Sequence, residues 1–328
     1  RRLMLIGGAL AAAFNLSLLA SHGLLSAVPI RFATGASIAL IYPPSLKVMA
    51  TWFRSERGLA LGVMVGGLTL GSSLPQLLNG LGGLHWANVI VATSTLALAG
   101  GLLAEFVGHD GPFPFPKAKF DPRQCWRGFA NRGVRLATLG YFGHMWELYA
   151  MWTWCAAFFA DALRERGVHN PATQAAFIAF ATIGAGAFGC AAGGKLGDRW
   201  GRTRTAAASL ALSGACAVSI GLVAGRSLVA AVLIGIVWGF TAVADSAQFS
   251  TMVTELADQS YVGTALTVLL AVGFTLTIAT IWLVPIVRDA HGWAWAFALL
   301  APGPAFGIVA MLRLMGLPEA RRLAGGRG

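Results

Sequence analysis

The sequence predicts an all-α membrane protein. Hydrophobic residues make up 56% of its 328 residues and charged residues only 11%, a composition too apolar for a soluble domain. Apolar runs of about 20 residues recur along the chain, and each has the length of a helix that crosses a bilayer. The positive charges are concentrated in alternate connections between these runs, as in proteins inserted with one fixed orientation.

Ten membrane-spanning helices are predicted. Prolines interrupt the second of them, which neighbouring helices allow inside a membrane. Small-residue spacing in the third predicts close helix packing, with glycines at Gly62, Gly66, Gly67 and Gly71. The predicted spans cover about residues 3–20, 24–46, 58–78, 86–107, 136–160, 172–193, 205–224, 227–249, 262–287 and 293–315.

A long polar segment divides the chain. It covers residues 108–135, contains the sequence PFPFPKAKF and is rich in cations. We therefore predict an N-terminal bundle of four helices over residues 1–107, a cytoplasmic linker over 108–135, and a C-terminal bundle of six helices over 136–328.

The distribution of cations predicts the orientation and the environment. If Arg1 and Arg2 are cytoplasmic, most of the 24 Lys and Arg residues fall on the same side of the membrane. We therefore expect a multi-pass protein with both termini cytoplasmic. We also expect a monomer in a bacterial-type inner membrane, although the cation distribution does not bear on the oligomeric state. The net charge of +11 is then explained by cations collected on the cytoplasmic side of a protein embedded in lipid. This explanation removes most of the case for a nucleic-acid partner.

A glycine-rich, charged segment separates the sixth and seventh spans. It reads GKLGDRWGRTR over residues 194–204 and predicts a tight turn at the membrane surface. Its acid, Asp198, can pair with the nearby arginines or lie at the positive N-terminal end of a neighbouring helix. The residues of interest in this segment are Gly194, Gly197, Asp198, Arg199, Gly201 and Arg202.

The pattern GxxxDRxGR in this segment resembles the signature loop of the major facilitator superfamily. The resemblance implies two pseudo-symmetric six-helix bundles that rock about a central site. It also implies that Asp198 faces the N-terminal end of the third span near Arg57 and Gly58, where it would hold an intracellular gate closed.

An internal repeat supports the two-bundle architecture. Residues 58–63 align with residues 263–268, and His85-Trp86-Ala87 aligns with Gly292-Trp293-Ala294, at an offset of about 205 residues. The same offset places the first-half copy of the signature loop before residue 1. We therefore expect that the first two helices of a twelve-helix protein are missing from this chain; a natural ten-helix protein is the alternative.

Arg31 is an ionisable residue inside the second span. Such residues are costly in lipid and are functional candidates by default. Arg31 precedes Gly35 by four residues, which resembles the fourth-helix pattern of the superfamily and implies an arginine that faces the cavity and assists proton movement. The alternative is an arginine that extends to the membrane surface.

Glu147 is the candidate proton-binding carboxylate, near the middle of the fifth span. Helical spacing places it on one face with His144 and Tyr141. The alternative is a structural role, in which Glu147 and His144 bond each other or a nearby carbonyl group.

Two acids near the eighth span are further candidates. Asp245 either lines the cavity or anchors the gate, with Gln248 one turn away. Glu255, with Asp258 close by, could meet Arg54, Arg57 or the signature loop as a gate charge.

These features predict a proton-coupled secondary transporter of a small solute. The chain contains no GxxxxGK[ST] nucleotide loop, and its six histidines and four scattered cysteines suggest neither a metal site, a cofactor nor an enzyme. The segments GHMWELYAMWTW and WFRSERGLALGVMVGG resemble bacterial permeases grouped with nitrate and nitrite porters, although residues 172–193 lack the arginine that those porters use. Uptake of a small anion is favoured; a drug or metabolite efflux antiporter and a truncated or non-transporting relative remain alternatives.

Overall fold

The computed structural model of the protein describes residues 1–53, 56–113 and 130–328. The remaining residues include Arg54, Cys125 and most of the predicted linker, so predictions about them lie outside the described chain. The described helices are α1 Arg2–Ser17, α2 Leu24–Ile38, α3 Tyr42–Ala50, α4 Arg57–Gly80, α5 Trp86–Phe106, α6 Arg132–Arg164, α7 Pro171–Trp200, α8 Arg202–Ala224, α9 Leu228–Ala244, α10 Ser246–Leu256, α11 Val262–His291, α12 Trp293–Ala298 and α13 Pro302–Met315. Short 3₁₀ segments cover Leu18–Ala20 and Pro318–Gly325.

Nine helical segments of the described chain are long and apolar enough to cross a membrane, and they match nine predicted spans. The fifth predicted span corresponds to α6, which has 33 residues but is less apolar. Helix α6 is not among these nine segments, and it carries His144 and Glu147 within its central turns. The tenth crossing therefore stays a prediction.

Three predicted spans are divided into two helices. The second span breaks between α2 and α3, where Pro43 and Pro44 occupy the first turn of α3, a position that needs no backbone N–H donor. The eighth breaks at Asp245, between α9 and α10. The tenth breaks before Pro302, the first residue of α13.

The chain forms two compact units. The first comprises Arg1–Phe53 and Gly83–Phe115, and in it α1 packs against both α2 and α5. The second comprises Arg54–Gly82 and Pro116–Gly328, so α4 lies in the same unit as α6 to α13. The predicted bundles of residues 1–107 and 136–328 stay a prediction.

Within the second unit, α4 and α7 pack backbone to backbone. A Cβ atom added to Gly58 would lie 2.7 Å from the Gly194 carbonyl oxygen, and one added to Gly62 would collide with the Cys190 carbonyl. Gly67 and Gly71, by contrast, have open space beside them. The predicted close packing therefore uses Gly62 and Gly66 with Gly58, rather than all four glycines of the predicted set.

Candidate functional site

Glu147 on α6 is buried between two neutral hydrogen-bond donors. Trp238 Nε1 on α9 donates to its Oε1 at 2.6 Å, and Ser213 Oγ on α8 donates to its Oε2 at 2.9 Å. Only 1% of Glu147 is exposed. A carboxylate in this position has both oxygens satisfied but receives no positive charge from either donor.

His144 and Asp245 form a second buried pair one turn away. His144 Nδ1 lies 2.9 Å from Asp245 Oδ1, and 1% of each side chain is exposed. Asp245 lies at the break between α9 and α10, which brings its carboxylate to α6. His144 Nε2 and Asp245 Oδ2 are buried and have no hydrogen-bond partner in the described chain. The pair therefore holds polar atoms that a proton, a water molecule or a substrate group could satisfy.

The predicted alternative in which His144 and Glu147 bond each other does not describe this arrangement. The two side chains leave α6 with different partners, Asp245 for His144 and the Trp238 and Ser213 donors for Glu147. Tyr141 packs beside the imidazole, with ring centroids 5.8 Å apart. We call Glu147, His144, Asp245, Ser213 and Trp238 the buried acid cluster.

The charged segment at residues 194–204 differs from the predicted tight turn. Helix α7 continues through Gly194 and Gly197 to Trp200, and only Gly201, with φ of 108°, turns the chain before α8 begins at Arg202. Gly194 and Gly197 serve close packing instead. A Cβ at Gly194 would collide with Gly58, and one at Gly197 would collide with the side chain of Gln248.

Asp198 caps the start of α4. Its Oδ1 accepts from the backbone N–H of Gly58 at 3.1 Å, and its Oδ2 accepts from that of Leu59 at 2.9 Å. These N–H groups are free of partners within their own helix, and the helix dipole adds to the attraction. The structure thus places Asp198 at the end of the third span that the sequence predicts for it.

Arg202 joins Asp198 to Glu255. Its Nε and Nη2 donate to the two carboxylate oxygens of Glu255 at 2.8 and 2.7 Å, and Nη2 lies 3.0 Å from Asp198 Oδ1. Nη1 donates to Gln248 Oε1 at 3.3 Å, while the Gln248 amide donates to the Gly193 carbonyl at 2.9 Å. Only 2% of the Arg202 side chain is exposed. We call Asp198, Arg202, Gln248 and Glu255 the loop charge cluster.

Other predicted loop residues lie outside this cluster. Arg199 is exposed. Asp258 is also exposed, and among the described residues it accepts only from the backbone N–H of Ser260, two residues away. The 3₁₀ segment Pro318–Gly325 and the residues after it add two contacts that the sequence did not indicate. Ala324 N donates to Glu255 Oε2 at 3.1 Å, and Arg327 Nη1 donates to the Asp198 carbonyl at 2.9 Å.

Arg31 lies in the first unit, where Asn15 holds it. Arg31 Nη1 donates to Asn15 Oδ1 at 3.1 Å. The amide of Asn15 in turn donates to Ser94 Oγ at 3.0 Å, which fixes it against α5. Arg31 itself is exposed in the described chain. Neither the cavity-facing role nor the surface-seeking alternative is tested by this geometry.

Sequence reasoning missed Ser213, Trp238 and Asn15 as partners of the candidate charges. Each is a polar group within a largely apolar helix, which is the signal that could have identified it. Such a signal marks a residue that needs a partner, but it does not say which helix supplies that partner.

Comparisons with known proteins agree with the helical architecture. The family model described as Major Facilitator Superfamily matches residues 1–280. The fold is similar to that of the human organic anion transporter MFSD10 (TETRAN), with a TM-score of 0.70 and 18% identity over 94% of this chain and 76% of that one. It is also similar to a bacterial homolog of the human lysosomal transporter Spinster, with a TM-score of 0.60 and 14% identity over 98% of this chain and 83% of that one. No curated protein sequence matches the chain.

Proposed function

Because the chain belongs to the Major Facilitator Superfamily of membrane transporters, we propose that it is a proton-coupled secondary transporter of a small solute. Glu147 carries the coupled proton. The observation that supports this role most directly is the pairing of a buried carboxylate with two neutral donors, Trp238 and Ser213. A charge in lipid with no opposite charge beside it is costly, and protonation removes that cost.

The second buried pair links proton binding to movement. Asp245 marks the start of α10, and the same eleven-residue helix carries Gln248 and Glu255 of the loop charge cluster. A change at the His144–Asp245 pair that shifts α10 would therefore displace Glu255 relative to Arg202. We propose that this helix transmits the protonation state to a gate formed by Asp198, Arg202 and Glu255, in an alternating-access cycle.

A small anion is the proposed substrate class, taken up across a bacterial-type inner membrane by a monomer with cytoplasmic termini. The sequence resemblance to anion permeases supports this class, and one structural neighbour is described as an organic anion transporter. Arg31 is the proposed anion-facing or proton-assisting group of the first unit, because Asn15 occupies one of its donors and leaves others available.

The test uses the full chain in proteoliposomes with a pH-sensitive dye inside. Anions, sugars and cationic drugs are added in turn under an imposed pH gradient. We expect acidification of the interior with one class of anion only. Substitution Glu147→Gln should abolish accumulation driven by the pH gradient and retain exchange of solute against solute, because the neutral amide cannot release a proton.

The matched control is Glu319→Gln, the same chemical change in the 3₁₀ segment Pro318–Gly325. It should leave gradient-driven accumulation unchanged. Accumulation by Glu147→Gln at the unsubstituted rate would refute the role of Glu147. Absence of flux for every solute class, from protein that remains folded and monodisperse, would contradict proton-coupled transport itself.

A further inference from the structure

Three arginines surround a cavity where the start of α6 meets the end of α13. The cavity has a volume of about 600 Å³, within the usual range of ligand sites. Its principal lining residues are Arg132, Arg135, Arg313, Leu136, Leu139 and Leu312. We propose that this cavity binds the phosphate headgroup of an anionic membrane phospholipid, with the acyl chains lying along the leucines.

Within the described chain, the charges of the three arginines have no acidic partner. All three side chains are exposed, and within the part of the chain that the structure describes no hydrogen bond or ion pair involves their guanidinium groups. Like charges that share one cavity repel each other, and a bound anion relieves that repulsion. Guanidinium groups also match the geometry of phosphate oxygens with two parallel hydrogen bonds.

The N-terminal end of α6 strengthens the site for an anion. Arg132 is the first residue of α6, so the positive end of the helix dipole lies at the same level as its side chain. Arg313 lies in the last turn of α13, which brings the third guanidinium to that level from the neighbouring helix. The positive potential therefore comes from three side chains and from the N-terminal backbone of α6, and the three guanidinium charges outweigh the negative dipole end of α13.

The apolar part of the lining favours a lipid over a soluble anion. Leu312 is 55% exposed, and Leu136 and Leu139 are half-buried beside it. A free phosphate makes no use of such surface, whereas a phospholipid places acyl chains directly below its headgroup. Basic pockets between membrane helices are a recurring mode of binding for anionic headgroups.

The depth of the cavity matches that of a headgroup. It lies at the C-terminal end of the membrane span Trp293–Met315. Asn131, which precedes α6, donates through Nδ2 to the Leu256 carbonyl at 3.4 Å, and Leu256 follows Glu255 of the loop charge cluster. The cavity therefore opens at the membrane-surface end of the second unit that also carries that cluster. The cavity would bind a lipid whether or not the protein transports a solute.

Native mass spectrometry of the full chain in detergent tests the proposal. The probes are phosphatidylglycerol and phosphatidylcholine with identical acyl chains. We expect preferential retention of one phosphatidylglycerol. The triple variant Arg132→Gln, Arg135→Gln and Arg313→Gln should raise its dissociation constant by roughly fivefold for each charge removed.

A second triple variant controls for net charge. Arg204→Gln, Arg321→Gln and Arg322→Gln remove three exposed cations outside the cavity lining, and the dissociation constant should stay within about twofold of the original. Equal losses in both triple variants would show attraction to the whole surface and overturn the site. If the first triple variant loses its fold, Arg135→Gln alone provides the same comparison with Arg204→Gln.

Two further measurements distinguish a lipid phosphate from free inorganic phosphate. Leu139→Asn should weaken phosphatidylglycerol binding, and millimolar inorganic phosphate should fail to displace the lipid. Displacement by inorganic phosphate together with unchanged binding to Leu139→Asn would assign the cavity to a soluble anion and overturn the lipid proposal. Equal retention of phosphatidylcholine and phosphatidylglycerol would also overturn it.

Discussion

Glu147 and Glu255 are both largely buried in the second unit, yet their electrostatic surroundings are opposite. Glu147 accepts hydrogen bonds from the neutral groups of Trp238 and Ser213. Glu255 accepts two hydrogen bonds from the Arg202 guanidinium and a third from the backbone N–H of Ala324. Glu147 can gain or lose a proton without breaking an ion pair. Protonation of Glu255, by contrast, would break its ion pair with Arg202.

This difference separates two tasks that a coupled transporter must perform. A group that binds the transported proton has to change its charge during the cycle, and neutral donors permit that change. A group that fixes one conformation has to keep its charge until its partner moves away. A bidentate hydrogen bond from an arginine favours the charged carboxylate. The buried acid cluster fits the first task and the loop charge cluster fits the second.

The comparison is tested most severely by Arg202→Met. This substitution leaves Glu255 and Asp198, whose side chains are only 11% and 13% exposed, without their cation. We expect the free energy of unfolding to fall by about 3–5 kcal/mol, the usual cost of breaking a buried ion pair. Equilibrium unfolding by SDS in mixed micelles measures this loss.

Arg204→Met is the matched control, because Arg204 is exposed two residues later on α8. Its effect should be within about 0.5 kcal/mol. The double variant Arg202→Met with Glu255→Leu should recover much of the stability, because it removes the unpaired charge of Glu255. A loss for Arg202→Met no larger than that for Arg204→Met would contradict the proposed gate role of the loop charge cluster.

Gly197→Ala tests the loop charge cluster without changing any charge. The added methyl group collides with the side chain of Gln248, which bonds Arg202 and the Gly193 carbonyl. Overpacking of this kind costs about 1–3 kcal/mol of unfolding free energy. Gly67→Ala on α4 meets open space and should instead stabilise by up to about 1 kcal/mol, as alanine does within helices. The same SDS titration compares the two, and equal effects would show that Gln248 moves aside freely.

The membrane spans could be predicted because lipid imposes a simple requirement on the sequence. Every backbone polar group has to be satisfied within its own helix, so each span appears as one apolar run of sufficient length. Nine of the predicted spans have this form in the structure. Prolines indicated an interruption of the second span, which breaks before Tyr42. The break at Asp245 was not predicted, since a divided helix and a continuous one of equal length have the same composition.

The candidate sites could be predicted only in part, because partners on different helices depend on how each helix is rotated. One residue along a helix changes the direction of a side chain by about 100°. The position of Asp198 followed from a motif with fixed offsets, whereas the donors Ser213 and Trp238 come from two other helices with no such motif. The segment from Gly194 to Gly197 reads as a turn because glycine disfavours helices, but its packing against α4 and Gln248 overrides that preference.

Ser213→Ala should have the smallest effect and measures what a neutral donor contributes. It removes the hydrogen bond to Glu147 Oε2 but leaves the Trp238 bond to Oε1 in place. We expect a loss of about 1 kcal/mol in the SDS titration, the usual net value of one such bond. Ser219→Ala is the control, because Ser219 Oγ donates at 3.3 Å only to the Cys216 carbonyl of its own helix. A loss for Ser213→Ala as large as that for Arg202→Met would mean that neutral donors hold Glu147 as strongly as a cation holds Glu255. Glu147 would then be a structural carboxylate, and the proton-binding role would pass to the His144–Asp245 pair.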